Sequence, residues 1–146
     1  MSVPARVSLV TLGVRDLARA TAFYESLGWE LSSASSGDVS FLRTAGALLA
    51  LFPHGDLVAD ANLPADDAQP PTTFRGVTLA INLESADRVD AAMVDAERVG
   101  ATVLKPPQPT EWGGYGAYFS DPDGHVWEVA HNPFWPIGDD ERPRLP

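Results

Sequence analysis

Phe119-Ser120-Asp121-Pro122-Asp123-Gly124-His125-Val126-Trp127-Glu128 is the stretch on which the reading of this chain turns. Its centre is a tight turn: Pro122 presets its φ, an aspartate bonds its own backbone, and Gly124 accepts a left-handed position without steric cost. On either side lie β-formers, Tyr115 to Ser120 and His125 to His131, so the segment predicts a hairpin. Strand alternation puts Val126, Glu128 and Ala130 on one face of the second strand and Trp127, Val129 and His131 on the other. Gly116, Tyr118 and Ser120 are expected to share the Glu128 face on the neighbouring strand.

Working towards the N-terminus, Ala101 to Lys105 reads as a further strand. It follows a helix that Ser85 caps, with a buried stripe of Val89, Ala92, Met93, Ala96 and Val99 and an end at Gly100. Before that comes a strand from Gly76 to Leu83. The same order stands earlier in the chain. Val7 to Val14 is β-branched and apolar, Asp16 caps a helix carrying Leu17, Ala20, Tyr24 and Leu27, and Gly28 ends it. Three strands are expected next, at Trp29 to Ser33, Val39 to Arg43 and Leu48 to Phe52. Residues 1–53 and 74–133 thus form two βαβββ modules, with a proline-rich linker at 54–73 and a tail at 134–146. The linker has room for one helical turn, and the tail is expected to wrap the surface. The fold class is α+β: a curved mixed sheet whose paired modules enclose a cleft, where ligands belong.

Composition narrows the partners. Twenty acidic and ten basic residues in 146 give a formal charge of −10, which disfavours nucleic acid and anionic membrane surfaces. It suits a cationic or uncharged small ligand. There is no run of eighteen apolar residues. The opening Met1-Ser2-Val3-Pro4-Ala5-Arg6 lacks the apolar stretch of a signal peptide, so a cytoplasmic address is expected. Without cysteine there are no disulfides and no thiolate chemistry. A Gly-x-Ser-x-Gly elbow and a phosphate loop are both missing from the sequence. His54, His125 and His131 share no metal-ligand spacing.

Three stretches resemble the vicinal oxygen chelate superfamily, which includes glyoxalase I, bleomycin-resistance proteins and extradiol dioxygenases. They are Val10-Thr11-Leu12-Gly13-Val14-Arg15-Asp16-Leu17 with Ala22-Phe23-Tyr24 and Leu27-Gly28-Trp29, the repeat from Thr78 to Gly100, and the hairpin from Phe119 to Glu128. The resemblance implies metal ligands at Leu9, Ala50, Thr78 and Glu128, on the first and last strands of each module. Of these only Glu128 is a credible ligand: leucine and alanine have no lone pair, and a threonine hydroxyl binds a divalent cation weakly. Tyr118 matches the active-site tyrosine of the dioxygenases, and its other reading is a packed ring. The resemblance also implies a homodimer and turns the Glu128 face into the cleft.

The candidate site is therefore an aromatic-walled pocket with Glu128 at its floor. Trp112, Gly113, Gly114, Tyr115 and Trp135 are expected to bind ligand, with Phe134 near the mouth. Other readings stand beside this one. Glu128 pairs with Arg15 or Arg43 or faces water, and Phe134 and Trp135 bury a dimer seam. The preferred function is a metal-independent small-molecule binder of the bleomycin-resistance kind, holding an aromatic or cationic organic ligand with no cofactor. The alternatives are two. One is a glyoxalase-like lyase or isomerase, or a dioxygenase, that uses Glu128 and Tyr118 and takes Zn, Ni, Mn or Fe. The other is an interaction module whose cleft is filled by its own side chains.

Overall fold

A computed structural model describes residues 2–146; Met1, which opens the segment read as lacking a leader, lies outside the described residues. The chain divides into two compact units, one ending at Thr72 and the other running from Thr73 to Pro146. It is α+β with one mixed sheet in each unit, of three and four strands.

In the first unit, strand β1 (Leu9–Val14) leads into helix α1 (Leu17–Ser26), followed by β2 (Ser40–Leu42) and β3 (Leu48–Pro53). Parallel pairing of β1 with β3 sets Leu12 beside Leu51, and β2 joins the other edge of β3 antiparallel. The Asp16 carboxylate accepts the Arg19 amide at 3.0 Å and starts α1, as its position predicts. Ala20, Thr21, Phe23 and Tyr24 are the buried residues of this helix. Thr21 ties it to the sheet. Its hydroxyl donates to the Leu17 carbonyl at 2.6 Å and lies 2.8 Å from the Ser40 hydroxyl. Since the one Thr21 proton is spent on Leu17, Ser40 is the donor of the second bond.

Two expectations change here. Trp29 to Ser33 is not a strand; only Leu31 forms an isolated bridge, to Leu42. The serines explain it. Ser32 and Ser36 side chains accept the Ala34 and Asp38 amides at 3.2 and 3.1 Å, and Ser35 accepts the Phe41 amide at 2.9 Å. Such local bonds compete with a ladder. The second change is in the expected linker, where Pro53 is followed by α2 (His54–Asp60) and a 3₁₀ turn (Ala65–Ala68). Val58 is buried, and the His54 ring is bonded through Nε2 to the Asp67 carbonyl at 2.8 Å. A helix of seven residues is too short to show a period, and tertiary contacts hold it.

The second unit contains β4 (Thr78–Asn82), α3 (Ala86–Arg98), β5 (Thr102–Pro109), β6 (Tyr115–Ser120) and β7 (Val126–His131), with sheet order β4-β7-β6-β5. β4 runs parallel to β7, while β6 is antiparallel to both β5 and β7. On the edge strand β5 the register slips between Val103 and Gln108, a span that includes Pro106 and Pro107, which have no N–H to give to a ladder. Val89, Met93 and Ala96 of α3 are buried, and the helix packs on β5, β6 and β7. Ala117, Phe119, Trp127 and Val129 are buried on one face of the sheet, the Phe119 and Trp127 rings stacked 6.4 Å apart. The tail turns back on itself: Ile137 bridges Pro143, and Arg144 pairs with Asp140 at 3.2 Å. None of the described helices is long and apolar enough to cross a membrane.

Thr21 and Ser40 offer a direct test of the first unit. Thr21→Val leaves the buried Ser40 hydroxyl without its acceptor and should cost about 1–3 kcal/mol in chemical denaturation. Adding Ser40→Ala should return part of that loss, because both ends of the bond are then apolar.

Candidate functional site: an aromatic hollow around Glu128

The site grows from the hairpin. Asp121 is buried, and its Oδ1 accepts the Asp123 and His125 amides, each at 2.9 Å. Backbone bonds between Asp121 and His125 and between Gly124 and Asp121 close the turn, with Gly124 at φ +86°. This fixes the β6–β7 register, so Tyr118 lies directly opposite Glu128, Gly116 opposite Ala130 and Ser120 opposite Val126. On the other flank of β7, Ala80 stands opposite Glu128 and Asn82 opposite Ala130. Cross-strand partners share a face, so these side chains lie together on one side of the sheet. Ala117, Phe119, Trp127 and Val129, of opposite parity, make up the other side.

Over that face is a hollow of roughly 520 Å³ lined by Ala80, Asn82, Trp112, Glu128, Ala130, Asn132, Phe134 and Trp135. Among these lining residues Glu128 alone is ionisable. The three rings keep much of their surface open: Trp112 is 48% exposed, Trp135 37% and Phe134 67%. Asn132 organises the far wall, its Oδ1 accepting the Phe134 amide at 2.9 Å and its carbonyl the Trp135 amide at 3.2 Å. Burial together with the charge and hydrogen bonding of Glu128 raises the Tyr118 phenol above the ordinary tyrosine range, in that order of size. The phenol therefore stays protonated, on the same face of the sheet as the carboxylate.

Trp112 is carried by the turn between β5 and β6. There the Thr110 hydroxyl accepts the Gly114 amide at 2.9 Å, and the Thr110 amide donates to the Gly114 carbonyl at 3.0 Å. The two glycines act as a seat for rings and do not line the hollow themselves. A Cβ on Gly114 would overlap the Trp112 six-membered ring and come 2.7 Å from the His131 carbonyl; one on Gly113 would lie 3.4 Å from the Phe134 ring. Gly113 also takes φ +94°.

Of the residues expected to bind ligand, Trp112 and Trp135 line the hollow and Gly113 and Gly114 support it. Tyr115 does not join them. It lies on the helix side, where its hydroxyl donates to Asp90 of α3 at 2.8 Å, and that bond raises its phenol. Parity of the strand gives this away, since Tyr115 is an odd step from Tyr118. Asn82, Ala80 and Asn132 were not singled out by sequence reasoning. A neutral amide carries no signal until strand register is known. Arg43, considered as a partner for Glu128, pairs with Glu30 at 3.0 Å instead. His125 is half-buried and His131 bonds through Nδ1 to the Leu83 carbonyl at 3.0 Å.

The donor set does not fit a divalent metal. Among the described residues no three His, Cys, Asp or Glu side chains gather into a group that could hold one. Leu9 is an exposed apolar residue on β1, and Ala50 is a buried methyl on β3. Thr78 pairs with Val126, so the β4 residue facing Glu128 is Ala80, which has no lone pair.

Comparison with known proteins places the chain in context. The sequence profile described as Glyoxalase/Bleomycin resistance protein/Dioxygenase superfamily matches residues 6–129. A glyoxalase-related enzyme from Fulvimarina pelagi is 31% identical with a TM-score of 0.85, over 97% of this chain and 99% of that one. A glyoxalase/bleomycin resistance protein/dioxygenase from Nocardioides is 26% identical with a TM-score of 0.74, over 100% of this chain and 92% of that one. A lactoylglutathione lyase from Agrobacterium tumefaciens is 25% identical with a TM-score of 0.66, covering 90% and 97%. No curated protein matches.

Two measurements follow from this geometry. Gly114→Ala should displace the Trp112 indole, shift tryptophan emission and cost about 1–3 kcal/mol of stability. In an ultraviolet titration, Glu128→Gln should lower the midpoint of one tyrosine, because the negative charge that holds the Tyr118 proton is gone.

Proposed function

The chain belongs to the Glyoxalase/Bleomycin resistance protein/Dioxygenase superfamily, and on that premise we propose that it is a metal-independent binder of an aromatic or cationic organic small molecule. The observation that carries this reading is the hollow itself, with three exposed rings set around a single carboxylate and no second ionisable group in its lining. Its volume falls within the range of about 300–1,000 Å³ common to small-molecule sites. Indole rings attract planar and cationic groups through their π faces, and Glu128 supplies the fixed charge. A homodimer and a cytoplasmic address belong to the same proposal. Exposed Phe74 and Val77 on the second unit give a dimer apolar surface to cover.

A second reading has one observation in its favour. The Tyr118 phenol faces the Glu128 carboxylate across the strands, a donor and an acceptor on one face of the sheet. That pair is suited to metal-free proton transfer in a lyase or isomerase. Metal-assisted forms of the reaction lack donors at Leu9, Ala50 and Thr78.

Calorimetric titration with a bleomycin-type cation tests the binding reading. Saturable binding is expected, weakened about tenfold by Glu128→Gln and about three- to tenfold by Trp112→Ala. Glyoxalase and aromatic ring-cleavage assays, run with and without Ni²⁺, Zn²⁺, Mn²⁺ or Fe²⁺, test the other. Turnover lost in Glu128→Gln would replace the binder by the enzyme.

A further inference from the structure

Resting on the proposed binding role of this hollow, we propose that its ligand class is an arylalkyl ammonium ion: one positive charge bearing N–H donors, joined by a short chain to an aromatic ring. Four observations converge on it. The lining offers one ionisable group, Glu128, so one positive charge is matched and a second is not. The methyl groups of Ala80 and Ala130 lie beside that carboxylate, one directly across from it and one two residues along β7, so neither of these positions adds a second charge. Tyr118 stands directly opposite Glu128 across the strands, a neutral phenol rather than a second charge. The carboxylate, with about four acceptor positions, has room for N–H donors from a ligand. Finally, Trp112 and Trp135 present open rings in the same lining, where an aryl group can stack.

The same features discriminate against other ligands. An anion meets the Glu128 charge. A neutral aromatic molecule would cover the carboxylate without giving it a partner, which costs the desolvation of a charge. A quaternary ammonium ion carries charge but no N–H, so it forfeits the charge-assisted hydrogen bonds that make a carboxylate worth using. Asn82 and Asn132 add neutral polar edges, and the Asn132 oxygen already accepts the Phe134 amide at 2.9 Å.

The experiment is a probe series on the full chain, read by calorimetry and by tryptophan quenching. The probes are phenethylamine, its N,N,N-trimethyl derivative, 2-phenylethanol and 3-phenylpropionate. Phenethylamine should bind at least tenfold more tightly than the alcohol and the trimethyl derivative, with no saturable binding of the carboxylate. In Glu128→Gln the preference of amine over alcohol should fall to within about threefold. Equal binding of amine and alcohol by the wild-type chain would overturn the ammonium assignment while leaving an aromatic-binding pocket in place. Stronger binding of the trimethyl derivative than of the amine would also overturn it, in favour of a ring cage. Failure of all four probes to bind would overturn this inference, while the binding reading beneath it is decided by the titration with a bleomycin-type cation. Because the wild-type series decides the matter alone, a Glu128→Gln chain that fails to fold does not shield the inference.

Discussion

The buried Asp121 carboxylate holds the hairpin on which the rest of the second unit depends. By accepting two amides at 2.9 Å it locks the turn length, and turn length sets register. A slip of one residue between β6 and β7 would exchange their faces. Glu128 would then point toward the α3 side, and the stacked Phe119 and Trp127 rings would lie open to water. Apolar burial resists that slip. Trp127, Phe119, Val129 and Ala117 are all buried beneath α3, each worth about 1.5–3 kcal/mol for the larger side chains. The position of the Glu128 carboxylate is thus maintained by the residues on the opposite face of its own strand.

Much of this was legible in the sequence. The Asp-Pro-Asp-Gly turn predicts its hairpin, alternation predicts which residues accompany Glu128, and the caps at Asp16 and Ser85 locate both long helices. What escaped the reading has physical causes. A strand at Trp29 to Ser33 fits the composition, yet Ser32 within it and Ser35 beyond it satisfy the backbone locally. One helical turn is expected in the linker, but the full seven residues of α2 show no period and bury only Val58. Tyr115 was grouped with Trp112 because the two are near in sequence, although β6 begins at Tyr115 and alternation applies from there. Asn82 and Asn132 matter only through register and turn geometry, which no motif announces.

The glycine pair shows how a pocket wall is made from a missing atom. Trp112 gains its place because Gly114 has no side chain, and Phe134 approaches Gly113 from the segment that follows β7. Two stretches of chain separated by some twenty residues therefore meet over one turn. The rings need no large apolar core behind them; a hydrogen-bonded turn at Thr110 and an Asn132 side-chain bond hold them in position. Such short polar anchors let aromatic surface remain open to a ligand rather than collapse inward.

The contrast between a metal site and an organic-cation site comes down to what stands beside Glu128. A divalent ion without several protein donors keeps most of its water, and one carboxylate gives little to replace it. An organic cation asks for less. It requires one opposite charge, a few acceptor positions and surface that tolerates its carbon frame. Ala80 and Ala130 are poor neighbours for the first kind of guest and good ones for the second. The net charge of −10 acts in the same direction over longer range, drawing cations toward the protein before any contact forms. Set among methyls and rings rather than among further donors, a carboxylate is suited to be the counter-charge of a molecule and not the ligand of a metal ion.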